Sequence, residues 1–157
     1  MKKFVFFFVI ILISGCATNQ KSIVKPDTSL STEQQRNMLL GKWLGEMTSD
    51  KGELQKWLVE RAGDGSYKIT FRLYSSESDY EEQIEAGFWG ISGPVYFSIM
   101  KGWIKDDKFI EADPTKAYFY DAYRIISLNE NKFVYEHFDN KIRFEVNKVS
   151  PDFNFTD

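Results

Sequence analysis

The sequence predicts an all-β domain, an eight-stranded antiparallel meander with a short helix before its first strand. Three observations support this prediction. Between positions 42 and 149 apolar residues tend to alternate with polar ones, β-branched and aromatic residues are abundant, and turn signals return every ten to fifteen residues or so. Eight strands joined in sequence would form an up-and-down barrel or a strongly curled sheet, and closure is favoured because it removes exposed strand edges.

The first fifteen residues are organised like a secretory signal. Lys2 and Lys3 precede an apolar run over 4–13, which is too short to span a bilayer core of roughly 30 Å. The chain continues as Ile13-Ser14-Gly15-Cys16, which holds its only cysteine. This segment resembles the signal of bacterial lipoproteins, in which a diacylglycerol is attached to the cysteine and cleavage occurs before it. The resemblance implies that residues 1–15 are a signal peptide and that Cys16 is lipidated.

A lipid on Cys16 would also determine where the protein resides. Two or three acyl chains hold a protein stably at a membrane, whereas a single chain holds it only marginally. We therefore expect the chain to be attached to the cell envelope. Ala17 stands where an aspartate would mark retention in the inner membrane of many Gram-negative bacteria. The periplasmic face of the outer membrane is therefore expected in a Gram-negative cell.

Between the lipid and the domain, residues 16–30 are predicted to form a flexible tether, because they are polar, contain Pro26 and show no periodicity. Ser31 and Gln34 have the spacing of a capping box, which predicts a helix of one or two turns ending near Gly41. Residues 31–157 would then be a single barrel domain, since the roughly 142 residues that remain after cleavage are the usual size of one domain.

Turn residues divide the remaining chain into strands. Asp64-Gly65 is a strong two-residue hairpin signal, Ser92-Gly93-Pro94 and Asp106-Asp107 break the middle of the chain, and Asp139-Asn140 precedes the last strand. Strands are predicted at 42–48, 54–61, 67–74, 81–91, 95–105, 116–128, 132–138 and 141–149, with a short extra piece at 109–111. The segment 117–128 is apolar on both faces, so alternation does not indicate which face lies inside.

Composition excludes several kinds of partner and cross-link. The net charge is −3, and removal of the two leader lysines takes it to about −5, so nucleic acid is not an expected partner. With Cys16 lipidated, no cysteine remains for a disulfide or a metal. Aromatic residues make up 17% of the chain and provide large groups that can be buried without a cross-link.

The sequence contains no recognisable catalytic motif, and we expect neither an enzyme nor a cofactor. His137 is the only histidine, so a zinc site built from two histidines is impossible, and no nucleophile motif accompanies it. A structural histidine is the simpler interpretation, although a cleft that placed His137 beside a carboxylate would favour catalysis. Glu81, Glu82 and Glu85 are interpreted as the charged outer face of a strand rather than as an acid and base pair.

Gly41-Lys42-Trp43, after the short helix and at the start of the first strand, resembles the Gly-x-Trp motif that opens lipocalin-type barrels. Tyr120-Asp121-Ala122-Tyr123 is similar to the Thr-Asp-Tyr-type loop of those barrels, although the threonine is absent. The resemblance implies that Trp43 is a buried anchor closing one end of the barrel and that Arg143 on the last strand lies across it. Gly41-Lys42-Trp43-Leu44-Gly45, Asp64-Gly65-Ser66-Tyr67 and Gly87-Phe88-Trp89 also look similar to small lipocalin-like bacterial domains without assigned function.

Two functions follow from a lipid-anchored barrel, since a barrel of eight strands either fills with side chains or holds one small ligand. The first is a binding protein for a small apolar or amphipathic molecule. Its expected contacts are the aromatics of the middle strands, namely Phe71, Trp89, Phe97, Trp103 and Tyr123. The alternative is a structural or protein-interaction lipoprotein with a filled barrel, whose protein partner the sequence does not identify. An open mouth supports the first function, whereas a solid core with an exposed aromatic patch supports the second.

Overall fold

The computed structural model describes residues 30–49, 52–76 and 79–155. The expected signal peptide, Cys16 and all of the expected tether except Leu30 therefore lie outside the described residues. The elements, in chain order, are α1 (Thr32–Leu39), β1 (Gly41–Thr48), β2 (Leu54–Arg61), β3 (Ser66–Ser76), β4 (Asp79–Ser92), β5 (Val95–Lys105), β6 (Lys108–Glu111), a 3-10 turn (Ala117–Phe119), β7 (Tyr120–Leu128), β8 (Lys132–His137) and β9 (Arg143–Lys148).

Eight of these strands form a closed antiparallel barrel, which confirms the predicted fold class. Each of the eight pairs with the next of them along the chain, and β1 pairs with β9 to close the barrel. The short β6 pairs with β5 and lies outside this closed ring. In that last pairing Trp43 lies opposite Lys148 and Gly45 lies opposite Val146. Because the sheet closes on itself, the meander of the sequence becomes a barrel rather than a curled open sheet.

The strand predicted at 116–128 begins later than expected. Residues Ala117–Phe119 form a 3-10 turn, and β7 starts at Tyr120. The preceding loop is bent by Asp113, whose side chain accepts hydrogen bonds from the backbone N–H and the hydroxyl of Thr115. As a result β7 pairs only with the first half of β5, and β6 pairs with the second half.

The predicted helix is present, and it closes one end of the barrel. Ser31 and Gln34 form the expected capping box, and Gly41 has a φ of 88°, a conformation that lets the chain turn from the helix into β1. Trp43 is completely buried, and its indole N–H donates to the carbonyl oxygen of Leu39 at 3.0 Å. We name this region the closed end. The largest fully buried side chains of the described residues belong to the same core cluster as Trp43; they are Phe133, Leu39, Ile125 and Val146.

The neighbour of Trp43 differs from the one that the lipocalin resemblance implies. Lys148 places its ammonium group over the Trp43 ring at 5.2 Å from the centroid. Arg143 lies five positions earlier on β9, is exposed, and contacts Glu136 at 3.3 Å. The register of the β1 and β9 pairing explains the difference, because it brings Lys148 and not Arg143 opposite Trp43.

Candidate binding cavity

The barrel contains a partly enclosed cavity beyond the closed end. Its volume is about 410 Å³, within the range of about 300–1,000 Å³ that is usual for small-molecule sites. The cavity is lined from six strands and from the 3-10 turn. Its lining residues are Val59, Arg61, Tyr67, Ile69, Phe71, Gln83, Glu85, Tyr96, Ser98, Met100, Trp103, Tyr118, Phe119, Asp121, Tyr123 and Tyr135. The barrel therefore has an internal space of the size of a small-molecule site.

Strand register orders these residues from a floor to a mouth. Arg61 pairs with Gly41 on one side and with Tyr67 on the other, so it lies next to the closed end. Further along β3, Ile69 lies opposite Glu85, and Phe71 lies opposite Gln83. Successive inward residues of a strand are about 7 Å apart, so each such step moves one layer away from the floor.

Arg61 forms the floor and is the most unusual residue of the cavity. Its side chain is 2% exposed, although it carries a permanent charge. Nε and Nη2 donate to the hydroxyl oxygen of Tyr96 at 3.3 and 3.1 Å. The guanidinium carbon also lies 5.0 Å from the centre of the Tyr96 ring, and the rings of Trp89 and Phe133 are within 6 Å. Nη1 is buried and has no hydrogen-bond partner among the described residues.

Four tyrosines surround the space above Arg61. Tyr67, Tyr96, Tyr123 and Tyr135 all line the cavity, and the rings of the last three pack edge to face or at a tilt, with centroids 5.1 to 5.5 Å apart. Burial raises the pKa of Tyr67, Tyr123 and Tyr135 well above the ordinary range. The phenols of Tyr67, Tyr123 and Tyr135 therefore stay neutral at physiological pH and can donate hydrogen bonds.

The middle layer of the cavity carries two carboxyl groups, those of Glu85 and Asp121. Glu85 was expected on the outer face of its strand, but it lines the cavity and its Oε1 accepts a hydrogen bond from Gln83 at 2.6 Å. Burial raises the pKa of Glu85, the hydrogen bond from Gln83 opposes this, and the charge of Asp121 adds to the increase. Glu82, in contrast, points outward and contacts Arg72 at 2.7 Å. Side chains alternate between the two faces of a strand, so Glu82 and Glu85 point to opposite faces of β4.

His137 does lie beside a carboxylate, since its Nε2 is 3.2 Å from Oδ1 of Asp121. The other ring nitrogen, Nδ1, accepts hydrogen bonds from the backbone N–H groups of Asp139 and Asn140. These acceptor contacts assign the proton of the neutral ring to Nε2, which donates to Asp121. Nδ1 thus fixes the hairpin between β8 and β9, and Nε2 orients Asp121. His137 is not among the residues that line the cavity.

The mouth is aromatic. Trp103 and Phe119 pack edge to face with ring centroids 5.6 Å apart, and Tyr118, which is 70% exposed, packs on Phe119. Phe71 lies across the opening on β3. A molecule entering the cavity would pass these apolar rings before reaching the polar floor.

Three of the five residues expected to contact a ligand line the cavity, namely Phe71, Trp103 and Tyr123. Trp89 lies in the closed end, where its N–H donates to the carbonyl of Ala62 and its ring lies under Arg36. Phe97 stands next to the inward Tyr96 and therefore faces outward, where its ring covers Gly90.

Sequence reasoning did not identify Arg61, Tyr67, Tyr96 or Tyr135 as site residues. A signal for Arg61 was present, because it continues the alternation of the apolar Trp57 and Val59 on β2 and so stands on the face that points inward. A charged residue on an apolar face is a candidate for function.

A second concave surface lies outside the barrel. Phe88 and Phe109 are 53% and 55% exposed, and they line a groove of about 540 Å³ together with Ala86 and the side chains of Lys68 and Lys101. This groove is the exposed aromatic patch that the interaction hypothesis calls for.

No group of three or more His, Cys, Asp or Glu side chains is arranged to hold a metal ion in the part of the chain that the structure describes. Within the same residues, no helix has the length and apolar character required to cross a bilayer. No protein-family model matches the chain, and a search of curated proteins finds no match.

Proposed function

We propose that this protein is a lipid-anchored, non-enzymatic binding protein of the bacterial cell envelope, which holds one small amphipathic molecule inside its barrel. The observation that carries this proposal is the cavity of about 410 Å³, with a polar floor around Arg61 and an aromatic mouth around Trp103. A core packed only for stability would leave little space of this kind, because protein interiors are close to crystal density.

The ligand is amphipathic rather than purely apolar. The mouth offers Phe71, Trp103 and Phe119, whereas the deeper walls carry a guanidinium, two carboxyl groups and several phenols. Polar groups in a site fix the orientation of a ligand, and the apolar walls supply most of its buried area. A hydrocarbon without a polar group would leave the floor unsatisfied.

The anchor would be the lipidated Cys16, with the barrel held at the envelope surface by the tether. The lipobox-like segment Ile13-Ser14-Gly15-Cys16 supports this part of the proposal. An envelope location suits a carrier of amphipathic molecules, because such molecules are concentrated at membranes. The absence of a free basic nitrogen at His137 supports binding rather than catalysis.

Titration with a series of small amphiphiles, monitored by tryptophan fluorescence, tests the proposal. A saturable change is expected in the parent and in Trp89→Phe, since Trp89 lies in the closed end. Trp103→Phe should lose most of the change, because Trp103 is the indole that lines the mouth. No saturable response for any amphiphile would contradict the proposal.

The outer groove favours the alternative, an interaction lipoprotein that presents Phe88 and Phe109 to another envelope component. The same titration separates the two functions. Phe88→Ser and Phe109→Ser leave the cavity lining unchanged, so ligand binding should persist in both variants if the cavity is the functional site.

A further inference from the structure

We propose that Arg61 is the anchor for an anionic head group, so that the ligand of the barrel is a small organic anion with a carboxylate or phosphate at its inner end. This inference rests on the proposed binding function and assigns the chemical class of the ligand. It starts from one atom, Nη1 of Arg61, which is buried without a hydrogen-bond partner among the described residues.

Arg61 forms no ion pair with any carboxylate in the part of the chain that the structure describes. Among the described residues its hydrogen-bond partner is the neutral hydroxyl of Tyr96. Neither carboxyl group of the cavity pairs with Arg61, since Asp121 contacts His137 and Glu85 accepts a hydrogen bond from Gln83. Buried charges are normally paired, because the removal of an ion from water is costly unless a counter-ion or hydrogen bonds offset it.

The other buried arginine of the barrel provides a comparison within the same fold. Arg72 is 5% exposed, and its Nε contacts the Glu82 carboxylate at 2.7 Å. It points to the outer face of β3, whereas Arg61 points into the cavity. The buried arginine on the outer face therefore has a counter-ion, whereas the arginine that lines the cavity has none among the described residues.

The surroundings of Arg61 suit an oxyanion. A guanidinium has a planar fork of N–H groups that matches a carboxylate or a phosphate, and such charge-assisted hydrogen bonds are about twice as strong as neutral ones. The phenols of Tyr67 and Tyr96 line the same end of the cavity and can donate to further oxygens. The body of the ligand would then extend past Tyr123 toward Phe71 and Trp103 at the mouth.

A comparison of octanoate with octanol tests this inference, because the two probes share a chain length and differ in charge. The full chain is held in lipid nanodiscs, and binding is measured by calorimetry against empty nanodiscs. We expect octanoate to bind roughly tenfold or more tightly than octanol in the parent. Arg61→Met, which removes the charge, should lose most of that preference, and the matched control Arg72→Met should keep it.

The ratio of the two affinities separates recognition from structural damage. A distorted barrel would weaken both probes alike, whereas loss of an anion anchor weakens octanoate alone. Equal binding of both probes to the parent, or an unchanged preference in Arg61→Met, would overturn the inference while leaving the binding function in place. Failure of both probes to bind the parent would overturn the binding function and this inference together.

Discussion

Arg61 and Tyr96 form a buried pair in which the Nη2 atom of the arginine lies 3.1 Å from the hydroxyl oxygen of the tyrosine. The pair joins the closed end of the barrel to its cavity. The Tyr96 hydroxyl accepts hydrogen bonds from two of the three guanidinium nitrogens, but it does not balance the positive charge. The pair therefore leaves the floor of the cavity both polar and electropositive, and this property bears on stability as well as on binding.

The first prediction concerns the stability of the ligand-free barrel. Arg61→Met replaces an uncompensated buried charge with an apolar chain of similar length, so the variant should melt at or above the temperature of the parent. Arg72→Met is the matched control and should melt lower, because it leaves Glu82 without its partner. The measurement is thermal unfolding by circular dichroism after refolding from denaturant, which removes bound molecules. An equal fall in melting temperature in both variants would show that Arg61 stabilises the barrel as much as Arg72 does.

The second prediction concerns Trp43, which is fully buried and bonded to Leu39. Trp43→Ala should lower the free energy of unfolding by about 3–5 kcal/mol, since truncation of a buried tryptophan leaves a large void. The expected fall in melting temperature is more than about 10 °C. Trp103→Ala, at the partly exposed mouth, should cost clearly less. A change of only a degree or two in Trp43→Ala would contradict its role as the anchor of the closed end.

The third prediction follows from the raised pKa of Glu85. A carboxyl group with a raised pKa holds its proton more tightly in the folded state, so its contribution to stability is present at low pH and is lost as the pH rises through the folded pKa. Glu85→Gln should therefore melt higher than the parent at about pH 7, and the gain should shrink at about pH 3.5, below the ordinary pKa of a glutamic acid.

Glu82→Gln is the control for that experiment, because Glu82 lies on the same strand but faces outward and contacts Arg72. This variant should melt lower than the parent at neutral pH. If Glu85→Gln lost stability in the same way, the carboxylate of Glu85 would have a stabilising partner, and the assignment of its environment would be wrong.

The fourth prediction concerns the anchor. Cys16 is the only cysteine, so Cys16→Ser removes the one thiol that a diacylglycerol can modify. The variant should remain uncleaved before residue 16 and should lose the acyl mass that is expected on the mature protein. Mass spectrometry of the intact protein and fractionation of the envelope measure both effects. A variant that was still cleaved and still acylated would contradict lipidation at this position.

Much of the fold follows from local patterns. Strand β2 and β5 begin and end where alternation and turn residues predict, and the capping box at Ser31 forms as its spacing indicates. The start of β7 was missed because Asp113 and Thr115 make a local turn that competes with an apolar run. Local hydrogen bonds of this kind are weakly encoded in residue patterns.

The site was harder to predict because it depends on register. Phe97 and Tyr96 are adjacent in sequence, yet only Tyr96 faces the cavity, and a shift of one residue would exchange them. Likewise Lys148 occupies the place that resemblance gave to Arg143, because register decides which cation lies over Trp43. Pairing across the barrel, rather than composition, brought Arg61 to the floor of the cavity.

The most direct test of the binding function is mass spectrometry of the small molecules that leave the protein after its purification from its own membrane. We predict one amphipathic species in the extract from the parent. The species should be strongly depleted in Ser98→Phe, which places a ring in the cavity, and should be retained in Ser127→Phe, where the serine is exposed on β7. An extract with no enriched species, or equal recovery from both serine variants, would contradict the account.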